Sequence, residues 1–289
     1  MEWKGRRQSS NIEDRRRGGR GAVGGARAGG LGGVGLIAVL LIGWFLGIDV
    51  TPLLQDQTGA SPAPTGQTVD LTAADQAAGE FVAVVLADTE EIWATVFTDQ
   101  LGETYRKPTL VLFKTATPSP CGGASEATGP FFCPADRKVY LDTAFFTTLS
   151  QRLGAGGDFA AAYVVAHEVG HHVQNELGIL AEANRVRREV SAEESNAISV
   201  RIELQADCLS GIWAREAADT LGVVDAGDLE EAVNAARQIG DDTLQRNAGQ
   251  RPMPHTFTHG TSEQRARWFT TGLTSGQLAD CDTFSTDRL

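Results

Sequence analysis

Lysine and cysteine are scarce in this chain: four lysines stand against twenty-one arginines, and 289 residues hold only four cysteines. None of the cysteines forms a Cys-x-x-Cys pair, so a tetra-cysteine zinc site, which is usually built from such knuckles, is disfavoured. Internal repeats are not evident. Net positive charge is confined to the amino terminus. The whole carries −12, while the first 27 residues carry +5 (Lys4, Arg6, Arg7, Arg15, Arg16, Arg17, Arg20 and Arg27 against Glu2, Glu13 and Asp14), which leaves −17 for the remainder. That balance argues for solubility and against nucleic acid as a partner. The arginine bias, with abundant Ala and Gly, fits a GC-rich bacterial genome such as that of an actinobacterium.

Charge is absent altogether from residues 28–48, which include Leu36-Ile37-Ala38-Val39-Leu40-Leu41-Ile42 and have about the length needed to cross a bilayer core. This predicts one transmembrane helix. A cleaved signal peptide is the rival reading, but the best small-residue site, around Thr58-Gly59-Ala60, lies about a dozen residues past the run, so an anchor is favoured. The expected layout is a basic, disordered, cytoplasmic tail at 1–27 that contacts anionic head groups, the helix at 28–48, and a flexible linker at 49–75 containing Pro52, Pro62 and Pro64. Residues 76–289 then form one extracytoplasmic domain, and the protein is a single-pass protein of the bacterial cell membrane. A domain of this size is large enough for a single core with a cleft.

Within the domain the expected class is α+β, zincin-like and mainly helical with a small sheet. An amphipathic helix is predicted over Ala74 to Asp99, strands over Thr109 to Lys114 and Lys138 to Asp142, and a further helix over Phe145 to Arg152. The segment Val139-Tyr140-Leu141 reads equally as a core strand or as an edge strand able to pair with an extended substrate.

The chemistry sits in Ala166-His167-Glu168-Val169-Gly170-His171-His172. Two histidines four apart share one helix face, so both imidazoles can converge on a metal while Glu168 reaches a water beside it. Phe159 to Val173 contains no proline; Asp158 is a candidate N-cap and Gly178 a candidate stop. Gly170 would weaken such a helix, which hints that another backbone passes close by.

Catalytic zinc needs a third protein ligand. The metzincin pattern is not met, because Leu177 stands where it has its third histidine and Gln174 where it has glycine. Glu203-Leu204-Gln205-Ala206-Asp207 instead places two carboxylates four apart inside a helical pattern running from about Glu189 to Leu221. Glu203 is the candidate third ligand, and Asp207 the candidate acceptor for the free ring N–H of a ligand histidine. A solvated helix face is the bland alternative for this pair. His172 and Cys208 point to other faces and His255 receives no role. The four cysteines allow three pairings, of which Cys121–Cys133 and Cys208–Cys281 is favoured, in keeping with export.

At these residues the chain resembles the gluzincins, and over roughly residues 76 to 285 it is similar to the bacterial neutral zinc metallopeptidase family. The supporting stretches are Gly129-Pro130-Phe131-Phe132-Cys133-Pro134, Val139-Tyr140-Leu141-Asp142 and Phe257-Thr258-His259-Gly260-Thr261-Ser262-Glu263-Gln264-Arg265. Thr261 and Gln264 form a capping box, so His259 precedes a helix start and Arg265 lies in its first turn. Likeness to membrane-associated gluzincins implies that His259 supports the developing oxyanion and that Arg265 orients a carboxylate or the substrate backbone; a loop histidine and a surface arginine are the alternative.

The expected activity is zinc-dependent endopeptidase cleavage of a protein or peptide substrate. Zn2+ on His167, His171 and Glu203 lowers the pKa of its water, and Glu168 takes the proton during attack on the carbonyl and returns it to the leaving amine. A zinc hydrolase of a non-peptide bond and a non-catalytic interaction protein that kept the fold are the rivals.

Overall fold

The computed structural model describes residues 1–17, 71–125 and 128–289. In chain order its elements are β1 (Ile12–Asp14), α1 (Ala73–Val96), β2 (Thr109–Phe113), β3 (Ala116–Ser119), β4 (Gly122–Ser125), β5 (Phe131–Cys133), β6 (Lys138–Asp142), α2 (Phe145–Gln151), α3 (Asp158–Glu176), α4 (Ile179–Arg187), α5 (Ala192–Glu216), α6 (Asp228–Gln238), α7 (Asp241–Asn247) and α8 (Ser262–Ser275). The class is α+β, mainly helical with a small sheet, as expected. Most bounds fall within a few residues of the sequence reading, and short π-helical turns carry α1 on to Leu101 and α5 on to Leu221.

The main sheet has the order β1-β2-β6-β5, with β1, β2 and β6 parallel and β5 antiparallel to β6. Strand β2 is a continuous apolar run because it is buried on both sides, as an inner parallel strand must be. Strand β6 is also interior, which selects its core reading over its substrate-edge reading. Strands β3 and β4 form a separate hairpin.

Helices α1, α4, α5, α6 and α8 pack against α3, whose residues from Phe159 to Gly170 are all buried. The helix starts at Asp158 after Gly157, so Asp158 is its first residue and not its N-cap; its carboxylate faces the Met1 amino group instead. Gly178 ends the segment with φ 76°. Helices α5 and α8 cross at backbone contact: a Cβ on Gly272 would lie 1.8 Å from the Cys208 carbonyl oxygen, so only glycine fits. Cys208 is bonded to Cys281 beside that crossing, and Cys121 to Cys133 across the hairpin loop, the pairing favoured by the sequence.

The amino-terminal residues depart from expectation. Basic composition predicted a disordered tail, but residues 1–17 form a folded arm. Ile12, Glu13 and Asp14 pair in parallel with Leu110, Val111 and Leu112. Ser9 and Asn11 donate to Glu90, and Arg6 pairs with Asp88, two carboxylates of α1 that are at most 3% exposed. The arm's charges are therefore ordering devices: they supply the cations and donors that buried acids on α1 require. Arg16 also donates to the Asp75 carbonyl, so the end of the arm lies beside the start of α1. A docked arm and a single crossing with the arm in the cytoplasm are mutually exclusive, because β1 cannot pair with β2 across a bilayer. The expected helix at 28–48 and residues 49–70 of the expected linker lie outside the described residues, and the last linker residues already cap and open α1 through Thr72 and Asp75. Among the described residues no helix is long and apolar enough to cross a membrane.

Candidate functional site

Helix α3 supplies His167, Glu168 and His171, and α5 crosses it at Gly170. A Cβ on Gly170 would stand 3.1 Å from the Ala206 carbonyl oxygen, closer than most Cβ contacts in proteins, so a larger residue would push the two helices apart slightly. This contact brings Glu203 and Asp207, on either side of Ala206, over the two histidines. His167 Nε2 lies 3.1 Å from Glu203 Oε2, and His171 Nε2 lies 3.6 Å from Glu203 Oε1. A tetrahedral ion with ligands at about 2.0–2.1 Å separates its donors by roughly 3.3 Å, and both histidine–carboxylate separations are compatible with one such ion.

Each candidate ligand histidine is aimed through its other ring nitrogen. His167 Nδ1 contacts Asp207 Oδ1 at 2.9 Å, and His171 Nδ1 contacts Gln174 Oε1 at 2.8 Å. Gln174 is in turn fixed by donating to the Ile202 carbonyl and to Gln205. Both imidazoles thus present Nε2 to the shared point, the arrangement that sets tautomer and basicity in metal sites. The electrostatics also call for a cation there. Burial alone would lower the pKa of His167, but Asp207 and Glu203 outweigh it and raise it to about 9. Positive charge is held where a divalent ion would displace the proton.

Asp207 is completely buried, and Arg265, 2% exposed, grips it with Nε at 2.8 Å and Nη2 at 2.9 Å. Tyr163 adds its hydroxyl to the same carboxylate. Burial would raise the pKa of Asp207, but Arg265 and His167 hold it below the usual carboxylate range. Arg265 therefore orients a carboxylate as the resemblance implied, yet the carboxylate belongs to the protein, not to a substrate; the surface-arginine alternative is excluded.

Glu168 is 7% exposed and lines a cleft of about 430 Å³ together with His167, His171, Glu203 and His259. Burial raises its pKa above the usual carboxylate range, against the pull of the two histidines. His259 lines the same cleft from a loop organised by Asp241. That carboxylate accepts the backbone N–H groups of Thr258, His259 and Gly260 and contacts His259 Nδ1 at 3.2 Å. Burial lowers the pKa of His259, but Asp241 and Glu203 reverse the sign and leave it raised. Thr261 and Gln264 form the expected capping box at the start of α8.

His172 contacts the Arg106 carbonyl and packs on Tyr105 and Phe132, away from the centre, and Cys208 is spent in its disulfide. Sequence reasoning missed Gln174, Tyr163 and Asp241. Gln174 was within reach, since it lies one turn beyond His171 on the same helix face. Asp241 stands 18 residues before the loop it organises, and no local signal connects the two.

Residues 1–284 match the family described as "putative neutral zinc metallopeptidase". The chain is 44% identical over 288 residues to the uncharacterised protein YpfJ of Escherichia coli strain K12, covering 98% of this chain and 99% of YpfJ. It is 43% identical over 191 residues to the uncharacterised protein Rv2575 of Mycobacterium tuberculosis strain H37Rv, covering 63% of this chain and 64% of that one. No solved structure matches. A match that runs almost from end to end, arm included, means that this chain belongs to the neutral zinc metallopeptidase family.

Proposed function

We propose that the protein is a zinc-dependent endopeptidase in which His167, His171 and Glu203 hold the ion and Glu168 is the general base. The convergence of His167 Nε2, His171 Nε2 and the Glu203 carboxylate at one end of a cleft, with Glu168 beside them, carries this reading. Zinc, when bound, supplies the Lewis acid that polarises a scissile carbonyl and acidifies water. Glu168 takes the proton of the attacking water and delivers it to the leaving nitrogen, a shuttle suited to a carboxylate whose pKa burial has raised. His259, whose pKa Asp241 and Glu203 raise against burial, donates to the oxyanion as it develops. Asp207, held by Arg265 and Tyr163, keeps His167 in register.

The two disulfides favour an oxidising, extracytoplasmic compartment, and the apolar run at 28–48 favours attachment to the cell membrane. With the arm docked, residues 1–17 and the catalytic domain lie on the same side of that membrane.

The test is zinc content and peptide cleavage on the detergent-purified full chain. Wild type holds one zinc per chain and cleaves casein in a chelator-sensitive way; Glu203→Ala loses both, and Glu168→Gln keeps the metal and loses turnover. Activity like wild type in Glu168→Gln removes Glu168 from the mechanism, and a chain that takes up no zinc ends the proposal.

A further inference from the structure

Arg187 closes α4 and lines the same cleft as the candidate metal centre. Arg185, two residues earlier, is paired with Glu182 and Glu189 on the outer face of the helix. Arg187 has no such partner. Among the described residues its guanidinium donates only to uncharged acceptors, through Nη1 to Asn184 Oδ1 at 3.1 Å and through Nε to Ser195 Oγ at 3.3 Å. Those two bonds fix the plane of the fork and leave Nη2 without an acceptor. The other cations of the cleft wall are occupied: Arg265 by Asp207, His259 by Asp241, and His167 and His171 by Glu203.

Burial pushes the pKa of Arg187 down, and the Glu203 charge acts in the opposite sense. A half-buried guanidinium stays charged at any working pH. Glu203 and the two uncharged acceptors offset its desolvation only in part, and the bidentate partner that fits the fork is a carboxylate. The remaining wall is largely apolar, with Phe131, Phe145, Leu180, Ile202 and Leu244. The domain's net negative charge repels acidic peptides in general, so any preference for them has to come from a local cation.

We propose that Arg187 is a specificity-determining residue that receives a substrate carboxylate, so that the favoured substrates are peptides carrying a carboxylate within a few residues of the scissile bond beside an apolar side chain. The inference rests on the peptidase reading of this cleft. The carboxylate comes either from an Asp or Glu side chain or from the peptide's C-terminus.

The test uses the full chain in detergent and internally quenched peptides with a single Phe, in which Glu or isosteric Gln occupies each of three positions on either side. All are made as C-terminal amides, and the Gln set is made as free acids as well. At one position the Glu peptide is expected to exceed its Gln twin by about 10- to 100-fold in kcat/KM, mainly through KM, as the loss of a charge-assisted hydrogen bond dictates. The ratio falls toward one in Arg187→Gln and returns in part in Arg187→Lys. A preference carried only by the free acids assigns the carboxylate to the C-terminus. Ratios near one for every pair in wild type, or a preference that survives Arg187→Gln, overturn the proposal. Calorimetric titration of the same peptides into Glu168→Gln reads binding without turnover. Absence of cleavage by wild type counts against the peptidase reading, whereas equal affinity of Glu168→Gln for charged and neutral twins, or no binding of either, counts against Arg187.

Discussion

Removing Arg265 tests whether the buried network behind His167 does what its geometry implies. In Arg265→Met the side-chain volume is largely kept, but Asp207 loses both guanidinium bonds, at 2.8 and 2.9 Å, inside a completely buried pocket. Breaking one side of a buried ion pair costs about 3–5 kcal/mol, because the surviving charge is left without compensation. Tyr163 and His167 still contact Asp207, which places the expectation near the lower end of that range. Against a typical total stability of 5–15 kcal/mol the variant should still fold, with its urea midpoint clearly lowered. The pH dependence has a definite sign. Asp207 titrates below its unfolded value in wild type, so it contributes stability above about pH 4 that is lost as pH falls through the folded pKa. The variant should lose that contribution, so its deficit against wild type shrinks at acid pH. Loosening Asp207 should also weaken zinc binding by about 10- to 100-fold, measured by chelator competition. A variant that keeps stability within about 1 kcal/mol of wild type and binds zinc equally well would refute the assignment of Arg265 to this network.

Other expectations follow from separate parts of the molecule. Replacing Cys208 and Cys281 by serine opens a link across 73 residues, for which loop-closure entropy gives about 4 kcal/mol; a melting temperature unchanged under oxidising conditions would contradict it. Exchanging Ser9 and Asn11 for alanine leaves Glu90 with Lys107 and Arg7 as its ion-pair partners and should cost about 1–3 kcal/mol in urea unfolding, whereas a free tail would give no effect. In intact cells a cysteine placed at Ser10 should react with an impermeant maleimide to the same extent as one placed at Glu263 on the domain; labelling of one site alone before permeabilisation would show that the arm is not docked. The profile of kcat/KM against pH should be bell-shaped. The acid limb lies above the usual carboxylate range, because Glu168 must be ionised and burial raises its pKa. The alkaline limb reflects loss of the His259 proton at a raised pKa, and it should move to lower pH in Asp241→Asn.

Much of the site was legible in one dimension because helices make spacing into geometry. His167, Glu168 and His171 share a face by the 3.6-residue period, Glu203 and Asp207 do so by the same rule, and Gly170 announced a close crossing that the Ala206 carbonyl supplies. The capping box at Thr261 and the order of strands before the His167 helix are likewise local facts. Composition misled at the amino terminus, where arginines that read as a solvated tail are the counter-charges of Asp88 and other acids of α1. The partner lies some 80 residues away, and a charge run carries no mark of what it pairs with. Tertiary structure alone decided that Arg265 serves Asp207, that Asp241 builds the His259 loop, and that β6 is interior and therefore closed to a substrate strand. Periodicity determines which residues of one helix act together, whereas the pairing of buried charges between elements depends on how those elements pack.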